Sequence, residues 1–152
     1  MTGWRLMRGL TGGDKPARGI QACCFTLALA AASGAGAAQL AGNEWRPVEV
    51  GEIEVPADAG LLVRFGDDGK LEGYGGCNRF FGAYKFGSDR IKIGSMGSTM
   101  MECQEPIMAR EKGLLQALER ASRFASRGAD LVLYDDAGQS VVRFVRTDAD
   151  NR

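Results

Sequence analysis

The 152-residue chain contains no histidine. Histidine is the side chain whose unperturbed pKa lies nearest neutrality, and it is the commonest metal ligand in proteins. Any catalysis would therefore depend on carboxylates, a thiol or a lysine, and we predict neither a metal site nor a cofactor. Beyond Ala38 there is also no run of lysine or arginine. This absence excludes the electrostatic pattern of a nucleic-acid-binding protein, so no nucleic-acid partner is expected.

The apolar run at residues 22–32 is too short for a transmembrane helix, which needs about 20 residues. It follows a basic segment and precedes small residues that include Ala35, Gly36 and Ala37. These parts are typical of a cleavable secretory signal. We predict a signal peptide at 1–38, a folded domain at 39–147 and a disordered tail at 148–152. The expected location is therefore periplasmic or secreted.

Other interpretations of this N-terminal segment are weaker. Met7 offers an alternative start that would shorten the basic part. Cys23 and Cys24 stand at the beginning of the apolar run, whereas the cysteine of a lipoprotein would follow it, so we do not expect a lipid anchor. A cytoplasmic protein with a disordered N-terminus is the remaining alternative.

Short stretches of alternating apolar and polar residues, separated by glycine-containing turns, predict antiparallel strands in the rest of the chain. They lie at 45–50, 61–65, 70–74, 79–86, 90–93, 131–134 and 141–145. Pro47 restricts the first of them to a sheet edge or a bulge. Apolar residues then recur at helical spacing after Pro106, which predicts a helix over 105–122; they are Ile107, Leu114, Leu115, Leu118 and Ala121. We predict an α+β fold in which a mostly antiparallel sheet, or meander, packs on one amphipathic helix.

Two segments of the predicted domain carry a family resemblance. The first is 73–84, with Gly75, Gly76, Cys77 and Asn78, and the second is 97–103, with Thr99, Met100 and Cys103. They are similar to the glycine–cysteine–asparagine and the Thr-Met-x-x-Cys signatures of the META domain family, which includes HslJ-like heat-shock proteins. The resemblance spans roughly residues 40–146, and it implies a small bacterial envelope or secreted domain with no associated enzymatic activity or ligand. We interpret the named residues as structural family-motif positions.

Cys77 and Cys103 are the two cysteines that remain after the predicted processing. An even pair in a small exported domain favours a disulfide, which would stabilise the fold by about 3 kcal/mol in the chain-entropy model. The alternative is two separate buried thiols. A nucleophilic cysteine is disfavoured because no histidine can activate it.

Four methionines surround Cys103 in the sequence: Met96, Met100, Met101 and Met108. Soft sulfur ligands could hold copper(I). Methionine is more often a filler of irregular gaps in a hydrophobic core, and we predict that role for all four.

The remaining polar clusters are typical of turns. Asp67 and Asp68, like Asp135 and Asp136, precede a glycine inside a predicted hairpin connection, where aspartate is common. The spacing after Asp67 does not match a calcium-binding loop. The glycines before Asn78 match a dinucleotide-binding fingerprint only in part, and they are better explained by the backbone geometry of a turn.

The stretch at 79–86 has two distinct faces. Phe80, Tyr84 and Phe86 share one face, which we predict to be core, although a ligand-lining role is an alternative. Arg79, Phe81 and Lys85 share the other face, which meets either water or a protein.

The sequence favours a non-enzymatic exported domain that supports envelope stress tolerance by binding or stabilising a partner. An envelope protein is the expected partner, and we expect a monomer without a transmembrane segment after processing. The alternative is an inhibitor of an envelope enzyme or protease that uses the irregular segment 94–104. An enzyme based on the four turn aspartates is the least supported hypothesis.

Overall fold

The computed structural model of the protein describes residues 40–147, which contain one long α-helix and ten strands. The predicted signal peptide and the predicted tail lie outside these residues. The strands are β1 (Asn43–Val50), β2 (Ile53–Glu54), β3 (Leu62–Phe65), β4 (Lys70–Tyr74), β5 (Arg79–Phe86), β6 (Ile91–Ile93), β7 (Gly97–Ser98), β8 (Arg123–Arg127), β9 (Asp130–Tyr134) and β10 (Ser140–Arg146). Helix α1 spans Glu105–Arg120, and a short 3-10 helix spans Ala57–Ala59. The predicted α+β class is confirmed.

The strands form an antiparallel sheet in the order β6-β5-β4-β3-β1-β10-β9-β8, with β2 beside β1 and β7 beside β5. The two ends of this order meet at a seam. There the Ile91 amide donates to the Ser122 carbonyl over 3.0 Å, and the Phe124 amide donates to the Asp89 carbonyl over 2.9 Å. The sheet is thus nearly closed into a barrel, which leaves few strand edges exposed.

The core fills the inside of this curved sheet. Its largest fully buried side chains include Trp45, Phe65, Phe80 and Phe144. The ring of Phe65 packs edge-to-face against Phe144, with 6.4 Å between the ring centroids. These aromatic residues come from β1, β3, β5 and β10, so one core joins the early and late strands of the chain.

Helix α1 begins as predicted, with Pro106 in its first turn, where the missing amide hydrogen has no cost. It ends at Arg120, two residues before the predicted end. The reason is that the Ser122 amide donates to the Tyr134 carbonyl and thereby joins the chain to the sheet. Leu114, Ala117 and Leu118 are buried on the inner face of the helix.

Three strands were not predicted from the sequence. They are β2, β7 and β8, so the chain closes with three strands after the helix rather than two. β1 is an interior strand, and its register against β10 shifts between Pro47 and Glu49. Of the two positions predicted for Pro47, the bulge is therefore correct.

The predicted faces of β5 are also present. Phe80 and Tyr84 are buried in the core, whereas Phe86 is partly exposed and stacks on Tyr84 with 5.6 Å between ring centroids. Phe81 on the opposite face is 58% exposed. None of the helices in the described part of the chain has the length and hydrophobicity that a membrane crossing needs.

Tyr84 gives this fold a testable dependence on pH. Its hydroxyl donates to the Gly66 carbonyl over 2.8 Å. Burial raises the pKa of Tyr84 to about 12, and the nearby carboxylates of Asp67 and Asp68 add to the rise. Because an unfolded tyrosine ionises near pH 10, the stability from the neutral hydroxyl is complete below about pH 10 and is lost as the pH rises toward 12.

We therefore expect Tyr84→Phe to be less stable than the wild type at pH 8, by about 1 kcal/mol, because the hydrogen bond to Gly66 is lost. The difference in the free energy of unfolding should shrink by pH 11. At that pH the Tyr84 hydroxyl ionises in the unfolded wild type and so opposes folding, whereas the phenylalanine variant has no hydroxyl at this position. Urea unfolding of both proteins at pH 8 and pH 11 measures it. A stability difference that does not change with pH would contradict the expectation.

Candidate functional site: a braced loop

The turn between β4 and β5 places Cys77 and Asn78 inside the protein. Gly76 has φ +100°, a conformation that other residues adopt only with strain. The turn closes when the Gly75 amide donates to the Asn78 carbonyl over 2.9 Å. Cys77 is fully buried and Asn78 is 5% exposed. The glycines thus have the role predicted for them, which is to shape a turn.

Cys77 and Cys103 form a disulfide, as predicted, with 6.0 Å between their Cα atoms. The bond links this turn to the residue two positions before α1. Residues 94–104, which we call the braced loop, therefore have one end fixed covalently to the β4–β5 turn.

Asn78 fixes the middle of the braced loop through its side-chain amide. Its Oδ1 accepts hydrogen bonds from the Thr99 hydroxyl at 2.8 Å and from the Met101 amide at 2.7 Å. Its Nδ2 donates to the Met101 carbonyl at 3.3 Å and to Glu111 Oε1 at 2.8 Å. Two donors and two acceptor positions are thus in use, which is the full capacity of an asparagine amide.

Glu111 lies on the inner face of α1 and is only 7% exposed. Its Oε2 accepts hydrogen bonds from the Cys77 amide at 3.2 Å and from the Asn78 amide at 2.6 Å. A buried carboxylate is tolerated when donors surround it, and here three donors do so. Glu111 therefore connects the helix to both the turn and the braced loop.

Glu111 was not predicted as a site residue. The signal was present, because position 111 falls on the same helical stripe as Ile107, Leu114 and Leu118. A charged residue on an otherwise apolar stripe is informative, since acidic residues are seldom fully buried without partners.

The braced loop exposes two apolar side chains. Met100 is 96% exposed and Met101 is 55% exposed. The prediction that they fill the core was wrong, because the peptide groups of Met101 bond to Asn78 and leave the side chain outside. Met96 is half-buried against the core, and Met108 is also half-buried.

The fold has counterparts in known proteins. Residues 38–148 match the family model described as the META domain. The chain belongs to the META domain family. No curated protein gives a significant match.

Solved structures support the same architecture. An NMR structure of a protein from Burkholderia xenovorans aligns with this META domain at a TM-score of 0.59 and 25% identity, covering 72% of this chain and 85% of that one. A second NMR structure gives a TM-score of 0.59 at 21% identity, covering 74% of this chain and 95% of that one. The crystal structure of a DUF4847 family protein from Bacteroides vulgatus gives a TM-score of 0.51 at 16% identity, covering 70% of this chain and 93% of that one. The last two similarities concern the fold alone.

Most of the motif residues of this META domain belong to one network. Gly75, Gly76, Cys77 and Asn78 build the turn, and Thr99 and Cys103 bind to it from the braced loop. Met100 is the exception, because its side chain is in solvent.

The aspartate pairs lie in turns, as predicted. Asp68 Oδ1 accepts a hydrogen bond from the Lys70 amide, and Asp135 Oδ1 accepts from the amides of Ala137 and Gln139. Within residues 40–147, no three carboxylate or thiol side chains converge into a metal-binding group.

Gly75 gives a direct test of how tightly the network is packed. A β-carbon at this position would overlap Glu111 Cγ and lie 2.6 Å from Glu111 Oε2. We expect Gly75→Ala to destabilise the domain by about 1–3 kcal/mol, because Glu111 must move away from its donors. Gly87→Ala is the matched control, since nothing lies within 4 Å of its added carbon. Equal melting temperatures for the two variants would contradict this packing.

Proposed function

We propose that this META domain is a non-enzymatic exported module that supports envelope stress tolerance by binding or stabilising a partner protein through the braced loop. The observation that carries the proposal is the exposure of Met100 and Met101 on a backbone held by Asn78 and a disulfide. Apolar side chains on a fixed backbone can be buried by a partner without the entropy cost of ordering a mobile loop.

Phe81 extends this surface onto the sheet. Residues of β5 pair with β7 inside the braced loop, with Phe81 opposite Gly97. A β-carbon at Gly97 would lie 2.9 Å from the Phe81 ring, so the ring covers this glycine. Complete burial of such a side chain is worth about 1.5–3 kcal/mol, and a few anchors of this kind dominate most interfaces.

The test compares two variants that remove exposed apolar side chains. Met100→Ser/Met101→Ser changes the braced loop, and Ile53→Ser changes β2, where Ile53 is 70% exposed. Neither should alter the melting temperature, because these side chains contribute little to the core. In a strain that lacks the gene, we expect the Ile53 variant to restore survival under heat and envelope stress and the loop variant to fail.

Site-specific photocrosslinking adds a second measurement. A crosslinker at position 100 should give a discrete adduct in the envelope fraction, and one at position 53 should not. Equal survival with the two variants, together with identical crosslinking patterns at the two positions, would contradict the proposal.

Inhibition of an envelope protease is the second candidate. The observation in its favour is that Met100 is nearly fully exposed and lies between Thr99, whose amide donates to the Arg79 carbonyl, and Met101, whose amide donates to Asn78 Oδ1. A rigid, protruding segment of this kind is suited to entering a cleft without large rearrangement. Unchanged activity of a panel of purified envelope proteases with excess protein would exclude this candidate.

Export is a part of the proposal that can be measured separately. The disulfide supports it, because structural disulfides persist in oxidising compartments. Intact mass of the protein from the envelope fraction should correspond to a chain that begins near Ala38 or Gln39. A full-length mass would contradict export.

A further inference from the structure

A cleft of about 850 Å³ lies where the end of α1 meets the seam between β6 and β8. Its walls come from the β5–β6 hairpin, the last residues of the helix and the β9–β10 turn. Four of the residues that line it are basic: Lys85, Arg90, Lys92 and Arg120. All four are exposed.

The basic residues at the seam are arranged as like-charged neighbours. Lys85 on β5 is directly opposite Lys92 on β6, and Arg90 forms a bridge with Arg123 across the seam. Directly opposed residues have Cα atoms about 4.5–5.5 Å apart, and like charges at that spacing destabilise a sheet. Their side chains share the outer face, because the residues that alternate with them, such as Ile91 and Phe124, are buried.

Among the residues that the structure describes, these cations form no salt bridge with a carboxylate. Within residues 40–147 none of them has an acidic group within ion-pair distance, and the salt bridges that form there involve Lys70 and Arg143. The cleft has three acidic residues. Asp135 bonds to its own turn, Glu119 accepts a long hydrogen bond of 3.5 Å from the Met96 amide, and Asp136 is exposed.

We propose that a phosphate-bearing ligand binds at this cleft through Lys85, Arg90 and Lys92, and through Arg123 at the adjoining start of β8, where it pairs with Arg90. Two opposed pairs of cations on three neighbouring strands carry four positive charges, and a phosphate monoester or pyrophosphate supplies at least about two negative charges that offset part of their repulsion. The planar guanidinium groups of Arg90 and Arg123 match the oxygen geometry of phosphate. The site is separate from the braced loop, and it accounts for like charges that the fold itself does not require.

The experiment measures the melting temperature with inorganic pyrophosphate against sodium chloride at equal ionic strength. For the wild type we expect a rise of about 4–8 °C when pyrophosphate reaches roughly five times its dissociation constant. Lys92→Glu replaces a like-charged pair by an opposite pair. It should therefore melt at a higher temperature than the wild type without ligand and gain nothing from pyrophosphate.

Arg127→Gln is the matched control, because Arg127 is an exposed arginine at the far end of β8. It should respond to pyrophosphate as the wild type does. Amide NMR signals of Lys85 and Lys92 should also shift on titration with pyrophosphate and remain unchanged with chloride.

A further comparison identifies the source of the phosphate. Co-sedimentation with vesicles that contain phosphatidic acid, but not with pure phosphatidylcholine vesicles, would assign the site to a lipid headgroup. A response to pyrophosphate alone would assign it to a soluble phosphate. An equal rise with sodium chloride, or an undiminished response of the Lys92 variant, would overturn the proposal, because simple screening would then explain the effect.

Discussion

Replacing Glu111 with leucine is expected to destabilise the domain by about 3–5 kcal/mol. The substitution leaves three buried donors without an acceptor, namely the amides of Cys77 and Asn78 and the Asn78 Nδ2 group. Each unsatisfied buried donor costs about 1–3 kcal/mol, and partial access of water reduces the sum. The loss is a large fraction of the stability of an ordinary domain. Urea unfolding followed by tryptophan fluorescence measures it.

Glu111→Gln should have an intermediate effect. The amide oxygen can replace Oε2 as acceptor for the two backbone amides, but its NH₂ group then faces Asn78 Nδ2, which is also a donor. Asn78 cannot turn its amide around without losing the bonds to Thr99 and Met101. Gln116→Leu, at an exposed position of the same helix, should change stability by less than about 0.5 kcal/mol. A Glu111→Leu effect as small as that of the control would contradict the role of the carboxylate.

Removing the disulfide with Cys77→Ala/Cys103→Ala is expected to cost about 3 kcal/mol. The bond spans 26 positions, and the estimate follows from the freedom that the unfolded chain regains over that length. Unfolding of the variant and of the wild type, each with and without reductant, measures the effect. Reductant should bring the wild type close to the variant and should leave the variant unchanged. Identical wild-type curves in both conditions would show that the bond contributes nothing.

The two effects should not be additive. Cys77 contributes its sulfur to the disulfide and its amide to Glu111, so both substitutions release the same turn. Residues that share a network show coupling of about 0.5–3 kcal/mol in double-mutant cycles. We expect the triple variant to lose less stability than the sum of the separate losses.

The parts of the site that carry a local sequence signal could be predicted. The glycine turn before Asn78 follows from residue type, and the pairing of Cys77 with Cys103 follows from their being the even pair of cysteines in a domain predicted to be exported. The role of Glu111 was harder to predict, because its hydrogen-bond partners are more than 30 positions away in the sequence. Only its place on the helical stripe indicated that it is buried. Met100 was misjudged because methionine is usually a core residue, and its exposure depends on hydrogen bonds made by Asn78 to the neighbouring peptide group.

The fold shows the same division between local and long-range information. Strands with clear alternation, such as β4 and β5, were predicted within a residue or so. β8 was missed because Phe124 is its one large apolar side chain, and β7 is too short to produce a pattern. The sheet closes where Arg90 pairs with Arg123. These residues are far apart in the sequence, so local hydrophobic periodicity could not predict the pairing.

The position of β1 has a consequence for how the chain reaches its folded state. β1 is paired on one side with β3 and on the other with β10, so the first and the last long strands are neighbours in the sheet. During synthesis, β1 must wait until the final strand has left the ribosome before its second edge is covered. We therefore expect the sheet to be completed only after β10 has been synthesised, so that folding of this domain depends on contacts between residues far apart in the sequence.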